Sequence, residues 1–344
     1  MGNHRLPRAT PESQGIASET FFGMLERLSE LKFMHSVMIL RHGKVCLEAF
    51  WEPYRAEEPH AVFSVSKSFV SAALGLLESE GRLKLTDRLA AFFPEYRRWI
   101  HDAGIASVTL KDLLTMRNGH GTYHDFLEIS ECPGDWCAGF FASSTEYRPG
   151  ERFVYDSSGS YMLSALVRKL SGMNVREYLK ERLFDPLGIR PGRWECCPRG
   201  INCGGWGLYL RTEDLAKFAQ LLLRKGEWNG TRILPADYLA AATVRHSDSS
   251  FYPAPDWQGT AAISGWDGTD SGQTDLRDSS HWFFRNRTLP LPQQRDSGIS
   301  GGFWKSSGRR FFLLPPRRRW QRIRCCRSRS WNFPVLFPCR LRKG

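Results

Sequence analysis

Phe63-Ser64-Val65-Ser66-Lys67-Ser68-Phe69-Val70 is the stretch on which the reading of this chain turns. An extended segment leads up to Ser64, and a helical pattern runs from about Val65 through Leu77, with Gly81 as a left-handed stop. Ser64 and Lys67 stand three residues apart, so their side chains share one face of the first turn. The first N–H groups of a helix have no partner within it. Ser64 therefore offers a backbone donor for half of an oxyanion hole, at the helix end whose partial positive charge favours an alkoxide. A lysine amine beside it, once desolvated, is a base for the hydroxyl. Taken alone, S-x-x-K is common by chance, and a helix start with a solvated lysine is the better reading of it. The surrounding sequence has to decide.

Upstream, Ser36 to Leu40, a His42-Gly43 turn and Val45 to Phe50 read as a β-hairpin. Downstream, Thr86-Asp87 opens a short helix that Pro94 closes, and Thr109 caps a helix carrying Leu110, Leu113 and Leu114. Pro149-Gly150 is a turn before an extended Phe153-Val154-Tyr155. Helices follow at Ser160–Leu170, Val175–Leu183 and from Thr212 to near Lys225-Gly226, and Asn229-Gly230 marks a tight turn. Tyr155, at a strand-to-helix turn, is a phenol placed to relay protons; read by itself, it also fits an ordinary half-buried tyrosine.

Several blocks in this order resemble the serine beta-lactamase-like hydrolases, nearest the class C beta-lactamase and esterase branch. They are Glu12 to Gly15, Arg41 to Lys44, Phe63 to Gly75, Gly81 to Asp87, Val108 to Met116, Pro149 to Gly159 and Gly204-Gly205-Trp206-Gly207-Leu208. Together they cover roughly residues 8–258. The resemblance implies an α+β fold of the beta-lactamase/transpeptidase-like type, an antiparallel sheet flanked by helices with an inserted helical domain. It implies Ser64 as acylated nucleophile, Lys67 as base or proton shuttle and Tyr155 as partner base. The family usually writes Tyr-x-Asn, whereas Tyr155-Asp156-Ser157 puts Ser157 in the place of the substrate-contacting amide. A hydroxyl reaches less far and bonds less than an amide, which favours ester or simple amide substrates over beta-lactams. No metal or organic cofactor is expected.

Composition divides the chain at Gln258. Of 48 Lys and Arg, 17 lie in residues 259–344 against 5 Asp and no Glu, so residues 1–258 hold 31 basic and 31 acidic groups. The net charge of +12 is thus a property of the tail alone. The tail lacks sustained periodicity, and no strand is legible in it. A nucleic-acid arm centred on Arg317-Arg318-Arg319-Trp320 is one reading; a segment never selected to fold is the other, favoured by the many Trp and Phe. The third motif that the resemblance implies, a Lys- or His-containing or Gly-rich strand completing the oxyanion hole, is not found there. A shift of reading frame near residue 258 accounts for this. Allowed codons for Asp275 to Leu289, entered one base earlier, can spell Asp-Gly-Leu-x-Gly-Gln-Phe-Ala-Leu-Val-Phe-Pro-Glu-Gln-Asp-Ala, a Gly-rich strand, a turn and a second strand. The expectation is a hydrolase domain over residues 1–258 and an aberrant tail over 259–344, with the C-terminal strands missing or scrambled.

Other patterns weigh less. His120 and His124 with Asp125 have metal-ligand spacing but read as surface loop histidines after Asn118-Gly119. A metallohydrolase and a pseudoenzyme stay open beside the serine hydrolase. The 9 cysteines are an odd number at irregular spacing, which argues against both zinc and a disulfide framework. Gly298-Ile299-Ser300-Gly301-Gly302 fits G-x-S-x-G without the strand-turn-helix context. No apolar run of about 18–20 residues is present, and no apolar stretch follows the N-terminal basic residues, so a cytoplasmic protein without membrane or nucleic-acid partners is expected.

Overall fold

A computed structural model describes residues 5–31, 34–121, 134–244, 246 and the backbone of 322–324. His124, Asp125, Cys132, the Gly298–Gly302 run and the re-read segment 275–289 lie outside these. The described residues form two compact units, one from residues before 58 together with 322–324, the other from residue 58 onward.

The first unit is built on a hairpin. Strand β1 (Ser36–Arg41) pairs antiparallel with β2 (Lys44–Phe50), and Arg41 faces Lys44 across the turn. His42 and Gly43 both take positive φ, 50° and 75°, as a two-residue hairpin turn with the right twist requires. Helix α1 (Ser18–Glu30) lays Phe21 and Leu25, one turn apart, on Cys46, Leu47, Ala49 and Trp51. A short strand, β7 (Arg322–Arg324), pairs antiparallel with the other edge of β2. The sequence predicts no strand beyond Gln258. The difference is physical: an open β2 edge is satisfied by backbone groups, which any sequence supplies.

The second unit is mainly helical. Helix α2 (Ser66–Ser79) follows a 3₁₀ turn, Phe63–Val65, and is buried along nearly its whole first three turns. Its Phe69 stacks on Phe218, with ring centroids 4.2 Å apart. Strands β3 (His60–Ala61) and β4 (Tyr209–Leu210) pair antiparallel just before it, and β5 (Glu227–Trp228) and β6 (Thr231–Arg232) flank the turn at Asn229-Gly230. Helices α3 (Leu89–Phe92), α4 (Ala103–Ser107), α5 (Leu110–Leu114) and α6 (Trp136–Ala142) come next. Then follow α7 (Ser157–Ser171), α8 (Val175–Leu179), α9 (Asp185–Leu187), α10 (Thr212–Leu223) and α11 (Ala236–Ala242). Both classes of element are present, in an α+β arrangement.

Four expectations about helices and strands in the second unit also differ from the structure. Asp87 does not open a helix; its carboxylate accepts from Lys84 N in a turn, and α3 starts two residues later. Pro94 opens a 3₁₀ turn, Pro94–Trp99, where its missing N–H is not needed. Helix α7 begins at Ser157 rather than Ser160, because Asp156 caps it by accepting from Ser158 N at 2.7 Å. Residues 153–155 are irregular rather than stranded, with Val154 N donating to Met116 O at 3.0 Å.

Helix α5 carries a reciprocal cap. Thr109 Oγ1 accepts from Asp112 N at 3.2 Å, and the Asp112 carboxylate accepts from Thr109 N at 2.9 Å. Thr109→Ala is expected to destabilise the fold by about 1 kcal/mol, seen as a lower urea midpoint with an unchanged slope. An unchanged midpoint contradicts this account of the cap.

Candidate active site

Ser64 sits in the 3₁₀ turn that leads into α2, directly after Phe63, whose φ of 44° is a strained value for a bulky residue. The turn is tied down on both sides. Ser66 Oγ donates to Phe63 O at 2.6 Å and accepts from Leu208 N at 3.2 Å, while Val62 N donates to Leu208 O at 2.9 Å. The β3–β4 pairing thus carries the Gly204–Leu208 segment up beside the serine.

One turn into the helix, Lys67 is 2% exposed. Its Nζ donates to Gly205 O at 2.7 Å, to Ser157 Oγ at 2.9 Å and to Ser64 Oγ at 3.2 Å. Gly204 and Gly205 make this possible by lying against the first turns of α7. A Cβ on Gly204 would stand 2.5 Å from Ser160 O, and one on Gly205 would stand 2.8 Å from Ser157 Cβ. Burial pushes the Lys67 amine down to about 7, against the pull of the Asp156 carboxylate.

Tyr155 Oη donates to Ser64 Oγ at 2.6 Å from the opposite side, and its ring centroid lies 5.0 Å from Lys67 Nζ. The phenol is 8% exposed and its ring packs with Phe153 and Met116. The structure therefore gathers Lys67 and Tyr155 on the Ser64 hydroxyl and Ser157 on Lys67. Ser157, the first residue of α7, contacts the lysine.

His120 departs from its expected place on a surface loop. It is fully buried, and its ring bonds to Asp156 and Ser143. Asn118 is buried with it and donates to Asp156 Oδ2. Spacing gives no sign of this cluster; the one available signal is an aspartate directly before a helix, a capping position. Among the described residues, no group of three or more His, Cys, Asp or Glu is placed to hold a metal ion. Cys46, Cys137, Cys196, Cys197 and Cys203 are thiols. None of the described helices is long and apolar enough to cross a membrane.

The Ser64 oxygen thus lies between a buried amine and a phenol, just before a helix. The family model Beta-lactamase matches residues 32–308. The chain belongs to the beta-lactamase family. Within it, the chain is 27% identical over 246 residues to penicillin-binding protein 4 of Amycolatopsis lactamdurans, covering 60% of this chain and 62% of that protein. It is 22% identical over 224 residues to the 6-aminohexanoate-dimer hydrolase of Paenarthrobacter ureafaciens, covering 61% and 57%. The octameric penicillin-binding protein homologue from Pyrococcus abyssi superimposes with a TM-score of 0.56 at 22% identity, over 68% of this chain and 61% of that one. The beta-lactamase/transpeptidase-like fold follows from these likenesses. The chain spans less than two thirds of the length of each of these relatives.

Proposed function

We propose that this beta-lactamase-family chain is a serine acyl hydrolase acting on a small ester or amide through a Ser64 acyl-enzyme. The observation that carries the reading is the Ser64 hydroxyl, flanked by Tyr155 Oη at 2.6 Å and Lys67 Nζ at 3.2 Å. A neutral Lys67 keeps two N–H bonds and one lone pair. Gly205 O, which only accepts, and Ser157 Oγ take the two N–H groups. The lone pair then faces Ser64, accepts its proton and leaves an oxygen able to attack the carbonyl. Tyr155 passes a proton to the leaving group, and water enters along the reverse path to release the acid. Ser64 N–H supplies one oxyanion donor. Ser157 orients the lysine and borders the substrate, and its short hydroxyl suits esters and simple amides.

The tail bears on how fast this chemistry runs. Residues 259–344 carry the whole charge excess and no Glu, and their codons can be re-read as a Gly-rich strand pair. We read this segment as out of frame, so that the strand supplying the second oxyanion donor is missing. The family match continues past Gln258 to residue 308, and the coding DNA around codon 258, read in all three frames, decides between an in-frame and a shifted segment. Losing one oxyanion donor costs about 10²–10³ in rate. The frame-restored chain is accordingly expected to hydrolyse p-nitrophenyl esters at least about 10²-fold faster than the chain as given. Equal rates, both lost on Ser64→Ala, would keep the serine hydrolase and remove the impairment.

A further inference from the structure

We infer that His120 is a positioning residue for the Ser64–Lys67 pair: it stands as an imidazolium against Asp156 and cancels the carboxylate that would otherwise hold Lys67 in its charged form. The inference rests on the proposed role of Lys67 as base.

Ser143 Oγ donates its single proton to Phe140 O at 2.7 Å, because a carbonyl can only accept. Toward His120 Nε2, 2.9 Å away, Ser143 therefore presents a lone pair, and Nε2 must carry a hydrogen. On the other side of the ring, Nδ1 lies 2.9 Å from Asp156 Oδ2 and 3.4 Å from Asn118 Nδ2, so the carboxylate is its nearer partner. An ionised carboxylate also only accepts, so Nδ1 carries a hydrogen as well. The carboxylate accepts further from Ser158 N at 2.7 Å, Ser158 Oγ at 2.5 Å and Asn118 Nδ2 at 2.5 Å. Asn118 is oriented for this by accepting from His120 N through its own Oδ1 at 3.2 Å. A ring with both nitrogens protonated is a cation. Two opposite charges, 0% and 1% exposed at their side chains and each fully hydrogen-bonded, meet the condition under which a buried ion pair is tolerated. Burial would raise the Asp156 carboxyl, and the bonds and charge of His120 with those of Ser158 and Asn118 outweigh it and hold the group below its ordinary value.

The pair has a reason to matter to Lys67. Asp156 is the cap of α7, and the next residue, Ser157, accepts from Lys67. The cap thus brings a negative charge close to an amine whose use as a base depends on losing its proton. Facing Lys67 are Tyr155 and Asp156 from the segment entering α7, Ser157 of α7, Ser64 from the 3₁₀ turn before α2 and Gly205 O from the segment before β4. Facing the Asp156–His120 pair are Asn118 from the loop after α5, Ser143 and Phe140 from the end of α6, and Ser158 of α7. The imidazolium lies on the side of Asp156 occupied by that loop, and with it the cap becomes a neutral pair. Without it, an uncompensated carboxylate would raise the proton affinity of Lys67.

The test is the pH dependence of single-turnover Ser64 labelling by a fluorophosphonate in the full chain. His120→Gln is expected to move the acid midpoint up by about one pH unit, which slows labelling about fivefold at pH 7. The double variant His120→Gln with Asp156→Asn, which removes the charge together with its partner, is expected to return the midpoint close to that of the unaltered chain. A midpoint unmoved in folded His120→Gln overturns the inference. Should that variant not fold, nitrogen-15 spectra of the unaltered chain decide: two protonated ring nitrogens on His120 at pH 7.5 support it, and a neutral ring overturns it. Labelling that survives Ser64→Ala is a different result, since it removes the nucleophile itself and with it the reading on which the inference stands.

Discussion

Ser64→Ala is expected to abolish covalent labelling by a fluorophosphonate and to lower ester hydrolysis by at least about 10³-fold, leaving only what binding and oxyanion donors provide. The size follows from the geometry. Both proton-handling groups converge on the one oxygen that the variant deletes, Tyr155 at 2.6 Å and Lys67 at 3.2 Å. Alanine leaves the 3₁₀ turn in place, since the bonds that hold it run through Ser66 and Val62. Unchanged circular dichroism and thermal melting accompany the loss. A variant that keeps more than about a tenth of the rate would show that another group is acylated.

Lys67→Met comes second. It is expected to slow Ser64 acylation by about 10²–10⁴-fold, the span of a lost general base. The pH profile distinguishes this from mere disturbance of packing. With the amine pushed down to about 7 by burial, the rate of the unaltered chain rises as pH passes through about 7 and levels above it. The methionine variant has no such inflection. Stability carries the matching sign. The unfolded chain binds the lysine proton more tightly than the folded one, so the contribution of Lys67 to stability rises with pH from about 7 toward the ordinary lysine value and is lost as pH falls through about 7. An inflection near 7 that survives in Lys67→Met would assign it to a different group.

Much of this site was legible because its chemistry is local. Ser64 and Lys67 are one helical turn apart, and the pairing of serine with lysine is a statement about three residues. Tyr155 and Ser157 needed the order of several blocks, since the approach of Tyr155 to Ser64 and of Ser157 to Lys67 spans about ninety residues of chain that no spacing rule covers. The hairpin and the caps at Thr109 and Gly81 were legible because turn and cap chemistry is written in neighbouring residues. What stayed hidden was tertiary. His120 looked like a loop residue because its neighbours are Asn and Gly, and only Asp156, thirty-six positions away, explains its burial. The sequence places the start of α7 three residues too late, since Ser157-Ser158-Gly159 has the composition of a loop; Asp156 capping and the glycines at 204 and 205 packed against it override that composition. The β7 pairing depends on an open edge and backbone groups, which side-chain patterns do not record.

The most direct measurement is to locate the adduct. The full chain is treated with a fluorophosphonate, digested and mapped by mass spectrometry. A single modification on Ser64, absent after denaturation before treatment, is the predicted result. An adduct on another residue, such as Ser300 in the Gly298–Gly302 run, or a folded chain that takes up no label at all, contradicts the account.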